Sequence, residues 1–595
     1  MPQLVERLYE LYGTRWDFYL ILNRLEQSMQ HTAAVRNPVL QKKDEEFLRA
    51  EEKNQEWFLN QKEVGIMLYT DLFAGNLQNL ITHIPYFKEL GITYVHLMPV
   101  FSKPAGENDG GYAVKSYRAV DKSIGTIADL AETAAEFHAA GIRLVVDFVF
   151  NHTSDQHKWA VAARKGNKKY RGFYFIYKTK EKADSWNRTL REIFPSVRRG
   201  SFTYSKEAGG WVWTTFNSYQ WDLNYSNPEV FLAMCEEMFF LANLGIDVLR
   251  LDALAFVWKE KGTVCESLPK AHTLIQAFQF AARIACPSLI FKSEAIVHPD
   301  QVIQYIKPEE CRLSYNPLQM ALFWSTLATR DTRLLTLSLK KRWTVPPECA
   351  WVNYIRCHDD IGWTFSDEDA GELGINGYDH RKFLNAFYTG TFPGSFGRGE
   401  PFQLNPATGD CRICGTTASL AGLEEAELTN NSLYRRMAAA RIKMMYAVLF
   451  ALPGIPLLYD GDQDAALNDY QYRTDKKKKN DSRWVHRSKH NWDTGCRYTS
   501  QKIIAEAIRL LIKKRKNEAD IGGPNITFYD TQDTRVFAFQ RNRIHVIANF
   551  SENTAVFRLS TKAPACTDVI SGTSYSTHAP QKLGPYEVRW LKESQ

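Results

Sequence analysis

The stretch DVLRLDALAF, residues 247–256, places an arginine and an aspartate two positions apart inside an apolar run. Side chains two apart on a strand share a face, so Arg250 and Asp252 point the same way, and if either faces a site at the strand's end, both do. The preceding segment, NPEVFLAMCEEMFFLANLGI (227–246), has helical period and opens with Asn227 as a cap and Pro228 at the first helical position. An amphipathic helix feeding a short apolar strand is therefore the unit to follow along the chain.

That unit recurs from residue 65. GIMLY (65–69) leads into NLQNLITHIPYFKELGI, and YVHLMPV (94–100) leads after a loop into TIADLAETAAEFHAAGI. LVVDFVF (144–150) is followed by a long insertion, VLRLDAL is the fourth run, and LIFKSEA, RLSYNP, WVNYIRCHDD and IPLLY complete eight strand candidates. Such alternation is expected of parallel strands with crossover helices. It fits an α/β fold, a (β/α)8 TIM barrel whose site is built at the C-terminal ends of the strands. The doubly wound alternative lacks its glycine fingerprint.

Two insertions are expected, 151–226 after the third strand, rich in Trp, Tyr, Phe and Arg, and 361–426 after the seventh, with Gly, Pro and Asp turns. Residues 1–62 have helical period and few strand signals, which marks an N-terminal helical domain before a catalytic barrel over 63–518. Residues 519–595 alternate in the β manner, as in TRVFAFQRNRIHVIANFS, which predicts a C-terminal antiparallel, sandwich-like β domain.

The chain has 595 residues, and its net charge of +7 is a small excess of 74 bases over 67 acids, scattered along its length. That balance gives no reason to expect nucleic acid or membrane as a partner. The basic run Lys476 to Lys479 reads as a solvated loop. Of ten cysteines the only close pair is Cys411 and Cys414, with no second pair or histidine at zinc spacing, so no metal or other cofactor is expected. MPQLVERLYELYG lacks the apolar core of a signal peptide, and no charge-free run reaches the ~18 residues of a membrane span. A cytoplasmic location is the default, with export by another route left open.

In a barrel, attention falls on polar residues where an apolar strand ends. Asp147 lies in the third run with Asn151 and His152 after it, Arg250 and Asp252 end the fourth, Glu294 the fifth, and His358, Asp359 and Asp360 the seventh. Any one acid could be a helix cap or a satisfied salt bridge. Arg250 beside Asp252 would hold that aspartate ionised, as a carboxylate nucleophile requires. Glu294 follows an apolar run, and a drier setting would raise its pKa as a general acid needs. Two carboxylates pushed apart in this way are the machinery of a retaining glycosidase.

DVLRLDALAF, KSEAIVHPDQ, CHDDIGWTF and DFVFNHTSD together resemble the strand-end motifs of the α-amylase superfamily of glycoside hydrolases and transferases. Within it they resemble the amylosucrases, which transfer glucose from sucrose onto α-1,4-glucan. WVWTTFNSYQWDLNYSNPEVF, NPLQMALFW, FQLNPATGDCR and DSRWVHR extend the likeness over nearly the whole chain.

The resemblance implies roles. Asp252 would be the nucleophile, Glu294 the acid/base and Asp359 the stabiliser of the transition state, with Asp147 and Asn151 as support beside Arg250. His152 and His358 would bind hydroxyls of the glucosyl ring. Asp109 and Tyr112 in NDGGYAV and Arg483 in DSRW would close the floor of a one-glucose pocket, the aspartate and arginine as an ion pair and the tyrosine stacked under the ring. Phe216 and Phe194 would be walls, although an aromatic such as Phe194 is more often simply core. Arg191, Arg412 and Asp360 would face the fructosyl or acceptor sugar, with plain surface salt bridges as the alternative for the two arginines.

The partners implied are sucrose and α-glucan acceptors, with no membrane and no nucleic acid; oligomeric state is not legible. A sucrose hydrolase on the same scaffold is the nearest rival, sucrose isomerisation would be a minor product, and a non-catalytic binding barrel is the remote alternative. The sequence departs from the group after strand eight. There YDGDQDAALND has Asp460 before the glycine and Gln463 where a glutamate is usual, which puts the pocket floor around Arg483 in question.

Overall fold

In a computed structural model of the protein the described residues are 1–193, 199–406, 408–492 and 496–594. Eight parallel strands close a barrel: β1 Gly65–Leu68, β2 Tyr94–Leu97, β3 Arg143–Val149, β4 Val248–Asp252, β5 Ile290–Ser293, β6 Leu313–Tyr315, β7 Ala350–Tyr354 and β8 Ile455–Tyr459. Each pairs with the next, and β8 returns to β1 through Gly65 opposite Leu457. The eight apolar runs read from the sequence are these eight strands.

Register decides what shares a level. Arg250 of β4 lies opposite Asp147 of β3 on one side and Lys292 of β5 on the other. The helix Pro228–Asn243 that delivers β4 is capped by the Asn227 side chain, which accepts from the Glu229 amide, with Pro228 in its first turn. This cap satisfies an amide that the helix cannot, a contribution of about 1 kcal/mol. The helix is buried on most sides because it lies under a further layer: Phe231 packs on Tyr12 with ring centroids 6.4 Å apart, and the Tyr12 hydroxyl donates to the Tyr225 carbonyl at 2.8 Å.

That further layer is three N-terminal helices, Pro2–Tyr12, Phe18–Ala34 and Pro38–Glu51. Their apolar faces, including Leu8, Ile21, Leu25 and Phe47, join the barrel in one continuous core. Their charged residues grip the chain just before the barrel strands begin: Lys43 binds Asp247 before β4, and Glu51 binds Arg312 before β6, where Glu56, beyond the third helix, also accepts at 3.0 Å. Contacts at strand N-termini serve stability and leave the opposite mouth clear.

After β3 come a ribbon, His152–Ser154 with Gln220–Asp222, and a three-stranded sheet of Ile176–Tyr177, Gly210–Trp213 and Phe202–Ser205. Trp186, Phe202, Trp213 and Cys265 form a small core there, which accounts for the aromatic richness of this segment. After β7 a ribbon of Glu400–Phe402 with Arg412–Cys414 stands over the barrel.

The C-terminal part is a six-stranded sheet containing Val536–Arg541, Ile544–Asn549 and Val588–Glu593, with a second ribbon of Ala555–Phe557 and Gln581–Leu583. Alternation sorts its side chains. Phe537 and Phe539 face the main core, while Val536 and Ala538 face a separate one under the ribbon. Among the described residues no helix is long and apolar enough to cross a membrane.

Candidate active site

A cavity of about 630 Å³ opens at the C-terminal ends of the barrel strands, within the ~300–1,000 Å³ range of small-molecule sites. The described residues expected in the site all line it, except Asp147 and Asn151, which stand behind the wall. Phe194 lies outside the described residues.

At the centre is Arg250. It is buried and binds Asp147 and Glu294 closely, and its Nη1 lies 3.1 Å from Asp252 Oδ1. One guanidinium thus ties three strand ends together. Ala253, immediately after Asp252, has φ +52, a left-handed conformation that costs a residue with a Cβ about 1–3 kcal/mol and clusters at functional sites. It turns the chain out of β4 at the nucleophile candidate.

Burial raises Asp252 well above the usual carboxylate range, and the adjacent Glu294 carboxyl adds to that against the pull of Arg250. Burial raises Glu294 too, opposed by Arg250. The expectation that Arg250 keeps Asp252 ionised is corrected here: the arginine is shared with Asp147 and Glu294, so its field is divided, and burial with the adjacent Glu294 raises Asp252 instead. The run before Glu294 is also not simply apolar, because it carries the buried Lys292.

Asp359 is the most accessible of the three acids, at 36% side-chain exposure against 12% for Asp252 and 16% for Glu294. Burial would raise it, but Arg483 and Arg487 hold it well below the usual range. Strand β7 ends at Tyr354, so His358, Asp359 and Asp360 lie on a loop, free of strand alternation, and all three line the cavity.

Arg483 is a second point at which acids of the cavity wall converge. Its guanidinium donates to Asp359 at 2.9 Å, to Asp109 at 3.0 Å and to both oxygens of Asp481 at 2.8 and 2.9 Å. Asp109 is delivered by a turn in which it and Gly110 have φ +52 and +66; Tyr69 and Arg487 lie within 3.2 Å of where a Cβ on Gly110 would stand. Tyr112 donates or accepts at His358 Nε2 over 2.9 Å and stacks on that ring at 5.6 Å.

His152 Nε2 stands 3.1 Å from the Tyr112 carbonyl and its Nδ1 3.2 Å from Asn151, so the chain itself engages both ring nitrogens. These bonds hold the ring in the cavity wall against Phe216, 5.3 Å away. His358 keeps Nδ1 without a partner among the described residues. Burial keeps both imidazoles neutral. Asn151 also donates to Asp222 at 3.2 Å, where Lys259 and the Thr215 amide converge at 2.6 and 2.7 Å. A buried lysine thereby pins the insertion to the loop after β4.

A third cluster is looser. Arg412 Nε lies 3.4 Å from Asp360, and Arg191, more than half exposed, lies 2.9 Å from Glu266. Both arginines are therefore salt-bridged and cavity-lining at once. Burial pushes Asp360 up to about 6, with Arg412 opposing. Phe402 joins the second and third clusters, with Arg483 and Arg412 over its ring at 4.8 and 5.4 Å.

Sequence reading missed Arg487, whose Nε donates to the His358 carbonyl at 2.7 Å, and Asp481 and Gln220, which hold Arg483 and Asp109. Arg487 and Asp481 were within reach, since both stand in DSRWVHR beside the assigned arginine. The departure after β8 stays off the cavity wall: Asp460 accepts from Gln463 at 3.0 Å and from His490 at 2.8 Å, and neither lines the cavity. Lys476, Lys477 and Lys479 are exposed. Among the described residues no group of His, Cys, Asp and Glu is placed to hold a metal ion.

A closed barrel whose mouth gathers acids from several strand ends around one arginine has its polar cluster where barrel folds build their sites. The chain belongs to the alpha-amylase family: residues 41–345, just over half of it, match the Alpha amylase, catalytic domain. It is similar to a trehalose synthase of Thermus thermophilus, 30% identical over 51% of this chain and 31% of that protein. A trehalose synthase of Pimelobacter sp. is 27% identical over 66% and 62%, and a glucosylglycerate phosphorylase of Spirochaeta thermophila 25% identical over 84% and 83%. The matches to the trehalose synthases span about a third to three-fifths of those proteins' length. Among solved structures, the trehalulose synthase of Pseudomonas mesoacidophila shares the fold at TM-score 0.63 with 18% identity, over 89% of this chain and 99% of that one.

Proposed function

We propose that the protein is a sucrose-using glucosyltransferase that works by retaining double displacement and extends α-1,4-glucan, releasing fructose. The observation that carries this reading is the ion-pair cluster in which Arg483 joins Asp109 to Asp359 beside the carboxylate hub, which we take as the closed end of the pocket. A floor placed there admits a terminal glucosyl unit and excludes a chain passing through. Asp252 attacks the anomeric carbon and Glu294 protonates the leaving fructose oxygen. Glu294, which burial raises, carries the proton for the second role once a sugar separates the two carboxyls, leaving Asp252 ionised. Asp359, held anionic by Arg483, faces the oxocarbenium-like charge.

Glu294 then acts as base toward a glucan 4-hydroxyl or water. Asp360, Arg412 and Arg191 are the candidate acceptor contacts, and no metal enters a carboxylate mechanism of this kind. We take 63–518 as the catalytic unit, flanked by 1–62 and 519–595. A second reading, isomerisation of a glucosyl disaccharide, draws support from the trehalose synthases and trehalulose synthase among its relatives. Incubation of the purified protein with sucrose, with and without glycogen, separates them. Polymer with fructose in excess of glucose supports transfer, isomeric disaccharide supports the second reading, and equal glucose and fructose without polymer overturns both in favour of hydrolysis.

A further inference from the structure

Two neighbouring acids on the loop after β7 are paired with different arginines. Arg483 donates to Asp359 at 2.9 Å, whereas Arg412 of the ribbon lies 3.4 Å from Asp360. Adjacent Cα atoms stand only about 3.8 Å apart, so neither acid is beyond the reach of the other's arginine. Backbone pairing does not settle the assignment. Ile361 and Ile413 exchange bonds at 2.8 and 3.2 Å, and Ser482 donates to the Pro401 carbonyl at 2.8 Å. These contacts bring the loop, the ribbon and the segment carrying Arg483 together without choosing between the arginines.

The contact that both arginines share is Phe402. It stands directly opposite Arg412 in the ribbon, and its ring centre lies 4.8 Å from the Arg483 guanidinium and 5.4 Å from that of Arg412. A phenyl face attracts a guanidinium within about 6 Å through the ring quadrupole. The ring is itself fixed, because it belongs to a small core with Cys414, Tyr472 and Val485. Arg412 also binds the Gln403 side chain, a neutral partner that leaves its charge to Asp360. We propose that Phe402 is a positioning residue that sets specificity: its ring keeps Arg483 at Asp359 and Arg412 at Asp360, and without it Arg412 competes for Asp359, so that donor and acceptor choice lose their independence. This rests on the proposed function for the naming of the donor and acceptor ends.

The competition follows the charge on Asp360. The groups that face that carboxyl are Arg412 and Cys414 of the ribbon, Arg483, and Asp359 beside it on the loop. Burial raises Asp360 to about 6, and Arg412 opposes the rise. Above that pH the carboxylate retains Arg412. Below it Asp360 is neutral, while Asp359, one residue away, stays anionic. With the ring in place Arg412 keeps its position. With the ring gone, Arg412 is drawn to Asp359 and loosens Arg483 there.

The test uses full-length protein and Phe402→Leu, which keeps an apolar side chain against Tyr472 and Val485 and removes the ring face. With an α-glucosyl fluoride donor, the ratio of kcat/KM in the variant to that in the native protein cancels the titration of the reacting carboxyls, which both share. That ratio should fall about three- to tenfold on going from about pH 7 to about pH 5, the worth of one hydrogen bond. Phe402→Tyr keeps the ring and should hold the ratio constant with pH. Adding Arg412→Ala to Phe402→Leu should abolish the fall, because the competitor is gone. A folded Phe402→Leu protein whose ratio does not change with pH, or a fall that persists without Arg412, overturns the proposal. If Phe402→Leu does not fold, Phe402→Met carries the same readouts. Turnover of the fluoride without turnover of sucrose refutes the proposed function and leaves this inference to be decided by the ratio, and turnover of neither overturns both.

Discussion

At the closed end of the cavity Arg483 meets three carboxylates at 2.8 to 3.0 Å, whereas at the open end Asp360 and Arg412 share one contact of 3.4 Å and Arg191 is 55% exposed. Both ends use arginine and aspartate. They differ in how far the arginine is buried and in the number of partners it has. A buried cation with three anions has one arrangement, because each charge would be costly if any other moved. An exposed arginine with a single partner gains little from holding still. On the proposed reading, the closed end fixes which sugar is cleaved and the open end only biases which acceptor takes it.

The largest effect expected is at the hub that both ends serve. Asp252→Asn should lower sucrose cleavage by about 10⁴-fold or more, since the covalent step has no other nucleophile. Full activity in that protein, measured by fructose release, would move the nucleophile elsewhere.

Next is the closed end. Arg483→Met leaves Asp109, Asp359 and Asp481 crowded without their shared cation and should cost about 3–5 kcal/mol of stability by denaturant unfolding. It should also lower kcat/KM by about 100-fold through loss of donor alignment. A near-neutral result would show that the three acids do not depend on it, and the contrast between the ends would collapse.

Third, the open end should respond to pH. Asp360 is raised to about 6 by burial, and Arg412 is the cation that opposes the rise. As pH falls through that value Asp360 becomes neutral and the ratio of transfer to hydrolysis should drop about three- to tenfold, the worth of one hydrogen bond. Arg412→Ala should move the midpoint upward, so that at pH 6 less of the carboxylate is ionised. An unchanged ratio between pH 5 and 7, read from glucose, fructose and glucan, would remove Asp360 from the acceptor site. The smallest effect belongs to Arg191→Ala: stability within about 0.5 kcal/mol, and product ratios changed less than about twofold.

Much of the fold was legible because its signals are local. Apolar runs followed by capped helices, such as Asn227 with Pro228, mark βα units without any knowledge of partners. The same holds for acids at strand ends. Asp252, Glu294 and Asp359 stand out because a charge that ends an apolar strand is conspicuous in one dimension.

What one dimension does not carry is how charge is shared. The sequence places Arg250 beside Asp252, but only strand register brings Asp147 and Glu294 to the same guanidinium and so leaves Asp252 raised. Lys292 passes for part of an apolar run until β2 and β6 supply His96 and Tyr315 around it. Nothing in the sequence tells that the Tyr112 carbonyl and Asn151 stand at the two nitrogens of His152. By itself the sequence determined the barrel, its insertions and the strand-end acids, because apolar period and capping act over a few residues. Protonation, pocket closure and the division between a rigid and a loose end were decided by tertiary structure, because pKa and ion pairing depend on charges brought within a few ångströms from strands hundreds of residues apart.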